Sequence, residues 1–320
     1  MICDLNLVYP VTDFNEEPTG AQLNQLKSAI YMAQSLGYTH VALNFCPKSP
    51  TSETNKKKLP TDINQLNPIN LSKQFGEFEN EKIKIFTRIT VKIDDPGQCQ
   101  NIAKFQTLFD IVAVQPITEK AFQSIITNLD VDIISFDLQD RLPCFMKHKT
   151  LCSAIDKGIK FEIKYSDFLN NQNRALAISN AKQIIRASRG KGMICSSGAK
   201  FSESGKLRNI FNIIPLLHLI GINSVSLKNN GVGCKGDRAQ MMFTEWPIKV
   251  LINGRLRIKS YKQTITLAGD DNLIDNSLED KDWLSNNKGN IKLSVEGYKK
   301  RKAVELEESQ QIHLKKNKKV

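Results

Sequence analysis

Three cations lie close together where a helix is predicted to end. The spacing of apolar residues predicts this helix over residues 174–188, and Arg186, Arg189 and Lys191 lie at its carboxyl end. Guanidinium and ammonium groups bind phosphate through charge-assisted hydrogen bonds. Cations in the last turn of a helix also complement its dipole, which is a purely structural alternative. The cluster is therefore a candidate contact for a polyanion.

A second basic segment runs from residue 253 to residue 262. Arg255, Arg257 and Lys259 alternate with apolar residues, and Lys262 follows them. Successive side chains of an extended chain point to opposite sides, so an extended conformation would present the three alternating cations on one face. Such a row suits phosphate contacts, and we expect this segment to touch an RNA backbone.

A third candidate is the run Ser196-Ser197-Gly198-Ala199, which follows a predicted seventh strand. Its N–H groups and hydroxyls could hold a phosphate, as loops after the seventh and eighth strands of barrels do. A capped turn explains the same residues equally well. A GxGxxG pattern, from Gly231 to Gly236, also lies between a strand and a helix. No acidic residue follows it on a further strand to hold a ribose, so a flexible turn is the better interpretation.

The histidines do not fall where a barrel enzyme holds its metal ligands, at the carboxyl ends of the strands. His40 precedes its predicted strand, His148 and His218 lie in predicted helices, and His313 lies near the end of the chain. Asp137 stands at a predicted strand end but is isolated. We therefore expect no catalytic residue, no metal and no cofactor.

The charge balance favours an anionic partner. The chain has 45 Lys and Arg against 33 Asp and Glu, a net charge of +12. Thirteen basic and ten acidic residues lie from Lys259 onward, a net of +3, so the body before it carries the remaining +9. RNA, DNA and anionic membranes are the candidate partners. Aromatic residues make up only 7% of the chain, so binding is expected to read backbone and shape more than base sequence.

Short β-rich runs alternate with longer amphipathic runs. Eight strands are predicted, the last over residues 224–227, with helices between them and a final helix over about residues 237–252. Parallel pairing follows, because a parallel crossover needs a long connection. A (β/α)8 barrel over residues 1–265 fits this α/β pattern, and a doubly wound open sheet is the competing fold.

Residues 266–320 differ in composition, being rich in Asp, Asn, Ser, Lys and Glu. They are predicted to form a disordered tail. Its basic clusters, at residues 299–302 and 315–319, suit nuclear import or nucleic acid, with a solvated tail as the alternative. The seven cysteines form no CxxC pair, and no signal peptide or bilayer-length apolar stretch is recognisable, so we expect a soluble protein of the cytosol or nucleus.

Several stretches together resemble one protein family. They are DLN at residues 4–6, GYTHVALNF at 37–45, RIT at 88–90, FDIVA at 109–113 and LINGRLR at 251–257, with longer matches at 148–164 and 184–199. In this order, over residues 1 to about 265, they resemble a fungal member of the thirty-kilodalton, barrel-fold subunit family of nuclear ribonuclease P and RNase MRP.

The resemblance implies a TIM-like barrel related to the polymerase-and-histidinol-phosphatase metal hydrolases, which begin with Asp-x-His-x-His. The corresponding positions are Asp4, Asn6 and Val8, so the metal ligands are missing. It further implies a non-catalytic subunit that stabilises a catalytic RNA for 5′ processing of precursor tRNA and for precursor rRNA processing. The implied partners are the ribonuclease P and RNase MRP RNAs and other protein subunits, among them a small ferredoxin-like one. The implied location is the nucleus and nucleolus.

The candidate RNA contacts combine the basic residues and the serine loop. They are Arg88, Arg186, Arg189, Lys191, Ser196, Ser197, Arg208, Arg255, Arg257, Lys259 and Lys262. Two alternatives remain open. One is a metal-dependent phosphoesterase using Asp4, Asp94, Asp95 and Asp137, and the other is a protein scaffold whose basic charge is incidental.

Overall fold

The structure, a computed structural model, describes residues 1–14, 16–48, 66–78, 81–170, 173–222, 225–226, 235–261 and 265–266. For residues 100–101, 225–226, 235–236, 258–261 and 265–266 it describes the backbone alone. Residues 267–320 and most of the GxGxxG turn lie outside the described residues. The domain boundary at residue 265 and the tail therefore stay predictions.

Eight strands form one parallel sheet. They are β1 Cys3–Val8, β2 His40–Phe45, β3 Lys84–Ile93, β4 Ile111–Pro116, β5 Ile133–Ser135, β6 Lys160–Lys164, β7 Met193–Ser196 and β8 Ala199–Lys200. Their order is β7-β6-β5-β4-β3-β2-β1-β8, so each strand from β1 to β7 lies beside the next one in sequence. Parallel neighbours in sequence order are the arrangement of a (β/α) barrel.

Helices follow most of these strands. They are α1 Gly20–Ser35, α2 Leu71–Phe75, α3 Ile102–Phe105, α4 Glu119–Asn128, α5 His148–Asp156, α6 Ser166–Leu169, α7 Arg174–Ser188, α8 Ile210–Ile220, α9 Arg238–Met241 and α10 Glu245–Lys259. The α1 start shows how local sequence sets these bounds. Thr19 and Gln22 form a reciprocal capping box there, and Leu26, Ala29, Ile30 and Ala33 are buried on one face. No helix among the described residues is long and apolar enough to cross a membrane.

The sheet curls so that its two ends approach each other. β8 begins three residues after β7 ends, and it pairs with β1 through Leu7 and Ala199. The turn after α9 also bridges β1 and β7. Cys3 N of β1 donates to Phe243 O at 2.8 Å, and Cys195 N of β7 donates to Met242 O at 3.2 Å. Backbone groups that an eighth barrel strand would use are thereby satisfied.

The prediction that residues 224–227 form the eighth strand of the barrel was wrong. Val225–Ser226 forms β9, which pairs antiparallel with β10 at Lys235–Gly236 and does not join the main sheet. β8, which directly continues β7, and the turn after α9 take the place of that strand. A second two-residue ribbon joins β11 at Ser260–Tyr261 to β12 at Ile265–Thr266. The fold class, a TIM-like barrel, is confirmed.

The barrel interior has two layers of different character. Side chains two residues apart on a strand share a face, so Phe86, Arg88 and Thr90 of β3 all face inward. Toward the amino ends of the strands the interior is apolar, with Cys3, Leu5, Ala42, Phe86, Ile111, Ala113, Ile133 and Ile194. Toward their carboxyl ends the buried residues are polar, namely Asn6, Asn44, Arg88, Thr90, Ser135, Glu162 and Ser196.

Helix α10 packs against the apolar layer. Trp246, Ile248, Val250 and Leu251 contact it, so α10 covers the amino-terminal end of the barrel. The predicted final helix over residues 237–252 is instead two helices, and the second continues to Lys259. Tertiary burial of this helix overrides the strand-like alternation of the sequence after residue 254.

Candidate functional site

A buried ion pair occupies the polar half of the barrel. The guanidinium of Arg88 on β3 donates to both carboxylate oxygens of Glu162 on β6, with NH1 2.6 Å from Oε1 and NH2 2.7 Å from Oε2. Both side chains are 0% exposed. Bidentate pairing of this kind is the strongest hydrogen-bonded contact between these groups.

Neighbouring polar groups complete a continuous hydrogen-bond network. Ser196 Oγ donates to Glu162 at 2.7 Å, and Asn6 Nδ2 donates to it at 3.2 Å. Asn44 donates to Asn6, Thr90 donates to Asn44, and Arg88 Nε donates back to Thr90. The network connects β1, β2, β3, β6 and β7, so it ties the strands together across the barrel.

The electrostatics of the two buried carboxyl groups differ. Burial alone would raise the pKa of Glu162, but the Arg88 charge and hydrogen bonds from Arg88, Ser135 and Ser196 lower that pKa to about 2. Burial raises the pKa of Asp4, against hydrogen bonds from Ser197 and Asn6. Its Oδ2 atom has no hydrogen-bond partner among the residues that the structure describes. Glu162 is therefore a fixed anion, and Asp4 is the carboxyl group that burial drives toward its neutral form.

The donor set does not fit a divalent metal. Both Glu162 oxygens are taken by a cation, Asn6 stands where the resembled hydrolases have histidine, and Val8 replaces the next one. Among the described residues no three His, Cys, Asp or Glu side chains are grouped as metal ligands. Asp94 is exposed beside a short 3-10 helix, and Asp137 accepts a hydrogen bond from Gln139 N. Neither of them joins Asp4 in such a group. The interior is suited to holding the barrel together.

Three of the predicted RNA contacts lie inside this network. Arg88, Ser196 and Ser197 are each 0% exposed, so none of them can reach a phosphate, and this part of the prediction was wrong. Ser197 N donates to Asp4 Oδ1 at 2.9 Å, and Ser197 Oγ donates to Asn6 O at 3.1 Å. The serine loop is the capped turn that was the alternative interpretation.

The predicted basic row after residue 253 is not a row. Arg255, Arg257 and Lys259 all fall within α10. Arg255 and Arg257, two residues apart on a helix, point in nearly opposite directions. Arg257 NH1 lies 2.7 Å from Asp132 Oδ1, and its Nε donates to Gln106 O. The Arg255 guanidinium lies 5.4 Å from the centroid of the Phe86 ring. These two arginines hold α10 against the barrel.

The remaining predicted contacts fall into two groups. Arg208 folds back so that NH1 donates to the carbonyl of Leu207 at 2.9 Å, and its own backbone is held by Tyr38 and Tyr165. The side chain of Lys259 and all of Lys262 lie outside the described residues. For these positions an RNA contact stays a prediction.

The helix-end cluster is exposed and belongs to a larger basic surface. Arg186, Arg189 and Lys191 are exposed, and α5 lies beside them because His148 Nδ1 donates to Ala187 O at 2.6 Å. We call the face formed by residues 141–149 and 174–191 the α5–α7 surface. These two segments contain eight Lys and Arg residues and no Asp or Glu.

Sequence reasoning missed Glu162, Thr90 and Ser135. A signal for Glu162 existed, because it stands between Phe161 and Ile163 in a strand whose alternate residues are apolar. A charged residue at such a position faces the barrel interior and needs a buried partner. The partner on β3 could not be identified without the pairing of the strands.

The fold and site define a (β/α) barrel whose interior is held by an ion pair and whose outer face is suited to an anionic partner. Comparison with known proteins gives the family. The chain belongs to the RNase P subunit p30 family, which matches residues 1–259.

Named relatives agree with this membership. The chain is 37% identical over 271 residues to "Ribonuclease P/MRP protein subunit RPP1" of Saccharomyces cerevisiae, covering 84% of this chain and 86% of that protein. It is 30% identical over 230 residues to "Ribonuclease P protein subunit p30" of Mus musculus, covering 70% of this chain and 81% of that protein. A chain in a cryo-EM structure of archaeal ribonuclease P with mature tRNA shares the fold, with a TM-score of 0.57 and 13% identity over 84% of this chain and 99% of that one.

Proposed function

We propose that this chain is a non-catalytic protein subunit of ribonuclease P and RNase MRP. It would bind and stabilise the RNA of each complex for 5′ processing of precursor tRNA and for precursor rRNA processing. Family membership and the names of the yeast and mouse relatives support this role.

The observation that carries the RNA-binding part is the α5–α7 surface. Among the ion pairs of the described residues, none uses Lys182, Arg186, Arg189 or Lys191. Exposed cations without carboxylate partners create a positive potential that attracts a polyanion. Neutralising phosphates with these cations releases counterions, which makes binding salt-dependent.

The direct test is RNA binding by a variant with Arg186, Arg189 and Lys191 changed to Gln. Its matched control changes Lys92, Lys104 and Lys120 to Gln, three exposed lysines of β3, α3 and α4 that remove the same charge. We expect the first variant alone to bind the ribonuclease P RNA more weakly and to flatten its salt dependence, by about 0.7–0.9 in log–log slope per lost contact. Equal loss in both variants would show that only net charge matters and would refute a defined RNA surface.

The non-catalytic part of the proposal is supported by the Arg88–Glu162 pair, which fills the part of the barrel where a metal would act. Purified protein with divalent metals is expected to leave phosphoester and RNA substrates uncleaved. Turnover that Asp137→Asn abolishes would establish the phosphoesterase alternative.

A protein partner would use a different face. We propose that the small ferredoxin-like subunit packs on the outer side of α8, where Phe211 is 75% and Leu219 79% exposed. An apolar face of this kind, two helical turns long, marks protein contacts more often than RNA contacts. The double variant Phe211→Glu, Leu219→Glu should lose that subunit in co-purification, whereas Ile117→Glu, at another exposed apolar position, should keep it. Retention by the double variant would refute this interface.

We also propose that the protein resides in the nucleus and nucleolus. The basic clusters at residues 299–302 and 315–319 support import. A fluorescent fusion should concentrate in the nucleolus and shift to the cytoplasm when both clusters are changed to Ala. A wild-type fusion that stays cytoplasmic would contradict the proposal.

A further inference from the structure

Phe145 is an exposed aromatic residue on an anchored loop. Its side chain is 74% exposed, whereas Leu142 and Met146 on the same loop are 9% and 2% exposed. These buried neighbours fix the loop before α5, so the phenyl ring is held out from the surface. An exposed ring on an anchored backbone is a platform on which a flat partner can stack.

The ring stands beside a groove that α7 completes. Lys182 and Arg186 lie four residues apart on one face of α7, and Ser179 lies on the same face. Phe145, from the loop before α5, lines the same groove. Among the described residues that line the groove none carries a carboxylate, so it combines one aromatic face with cations and neutral polar groups.

We propose that this groove binds single-stranded RNA, with one unstacked base on Phe145 and the adjacent phosphates on Lys182 and Arg186. The inference rests on the proposed function and adds a base contact to an interface otherwise expected to read backbone and shape. Proteins that bind single strands combine stacking aromatics with a positive groove in this way. A protein partner would need a larger exposed apolar area, and here Met146 and Ala187 are buried.

The chemistry of stacking separates this idea from simple apolar contact. Tyrosine keeps the aromatic face of Phe145, leucine keeps apolar area without it, and alanine removes both. Tyr31, an aromatic residue that is 45% exposed on α1, provides a control position for alanine. A base-paired duplex of the same sequence provides a control ligand, because its bases cannot reach the ring.

The experiment measures binding of the full chain to a ten-nucleotide unstructured RNA and to the corresponding duplex. Phe145→Ala and Phe145→Leu should each weaken single-strand binding at least about fivefold, the lower end of a typical base-stacking effect. Phe145→Tyr and Tyr31→Ala should bind single-stranded RNA like the wild type, and duplex binding should not respond to any change at Phe145. Lys182→Gln with Arg186→Gln should lower the single-strand salt slope by about 1.4.

Several outcomes would overturn the inference. If Phe145→Leu binds single-stranded RNA as tightly as Phe145→Tyr does, the contact at this position is simply apolar, as a protein partner would make. Unchanged binding by Phe145→Ala, with salt-dependent binding by the wild type, would refute the groove and leave the proposed function standing. A wild-type chain that binds neither RNA would refute the inference, and failure to bind the ribonuclease P RNA as well would count against the proposed function.

Discussion

Arg88 donates hydrogen bonds through all three of its guanidinium nitrogens inside the barrel. It is fully buried, and it supplies the charge that keeps Glu162 ionised with a pKa of about 2. Burying one charge without its partner is strongly unfavourable, so losing either side chain of the pair should destabilise the fold. The strand neighbours Ile89 and Val91 face the opposite side, toward the helices.

Removing the positive charge should therefore destabilise the fold. We expect Arg88→Met to lower the free energy of unfolding by about 3–5 kcal/mol, because Glu162 is left buried and unpaired. Denaturant titration followed by circular dichroism measures this. Lys92→Met, at an exposed position of the same strand, should change it by about 0.5 kcal/mol or less. Equal stability of Arg88→Met and wild type would mean that the ion pair is not formed.

His40 gives a prediction about pH. Burial, followed by the charges of Lys84, the amino terminus and Arg255, lowers the pKa of His40 from 6.5 to about 4. Between these two values the unfolded chain binds a proton that the folded chain does not, so stability is full above pH 6.5 and falls as the pH drops toward 4.

The loss attributable to His40 should reach about 3 kcal/mol at pH 4. Unfolding measured from pH 7 to pH 4 should show a steeper decline for the wild type than for His40→Gln. Glu162 also loses part of its stabilising contribution below its ordinary pKa of 4.5, but it does so equally in both proteins, so the difference between the two curves reports His40. Parallel curves for the two proteins would contradict a buried neutral imidazole.

Residue types alone identified polar groups at the strand ends but not their roles. Arg88 and Ser196 were predicted as RNA contacts, and the structure instead joins both of them to Glu162 in a network with Asn6 and Asn44. Whether Arg88 faces a solvent-filled mouth or a buried carboxylate depends on Glu162, about seventy residues away in sequence and three strands away in the sheet. Such a pairing is fixed by the barrel and not by local sequence.

At the scale of elements, helix α10 approaches the barrel closely at Gly254. A Cβ added to Gly254 would lie 1.9 Å from the carbonyl oxygen of Asp110, which is a backbone atom that cannot move aside alone. Glycine is thus required here for close approach of the helix to the barrel, although it is unfavourable inside a helix.

The change Gly254→Ala should consequently destabilise the protein. Relieving the overlap requires α10 to shift, and overpacking of this kind costs about 1–3 kcal/mol. Thermal unfolding of the purified protein measures the effect. Gly20→Ala, where the added Cβ meets no described atom from outside its own stretch of helix within 4 Å, should match or slightly exceed wild-type stability. A Gly254→Ala protein as stable as Gly20→Ala would show that α10 does not pack on Asp110.

Most elements could be predicted because their periodicity and caps are local. The helix predicted over residues 174–188 is α7, and seven of the eight predicted strands are β1 to β7 of the main sheet. The end of α10 could not be predicted, because Asn253-Gly254 reads as a turn and the alternation after it reads as a strand. Contacts of Trp246 and Arg257 with distant strands decide its conformation.

At the scale of the whole molecule, some basic residues pair with carboxylates inside the fold, and others are exposed together on one surface. The cations near the barrel interior and under α10 are matched by Glu162 and Asp132. The α5–α7 surface has no acidic residues in either of its segments. Composition alone predicts the excess of positive charge. Where that charge is exposed could be found only from the structure, which shows which basic residues pair with carboxylates inside the fold.

Identification of the RNA that co-purifies with the tagged, full-length protein tests the central claim most directly. We expect ribonuclease P RNA and RNase MRP RNA to dominate the eluate and the eluate to remove 5′ leaders from precursor tRNA. Neutralising Arg186, Arg189 and Lys191 should reduce the RNA recovered. Recovery of a protein complex that lacks both RNAs and stays intact after nuclease treatment would contradict it.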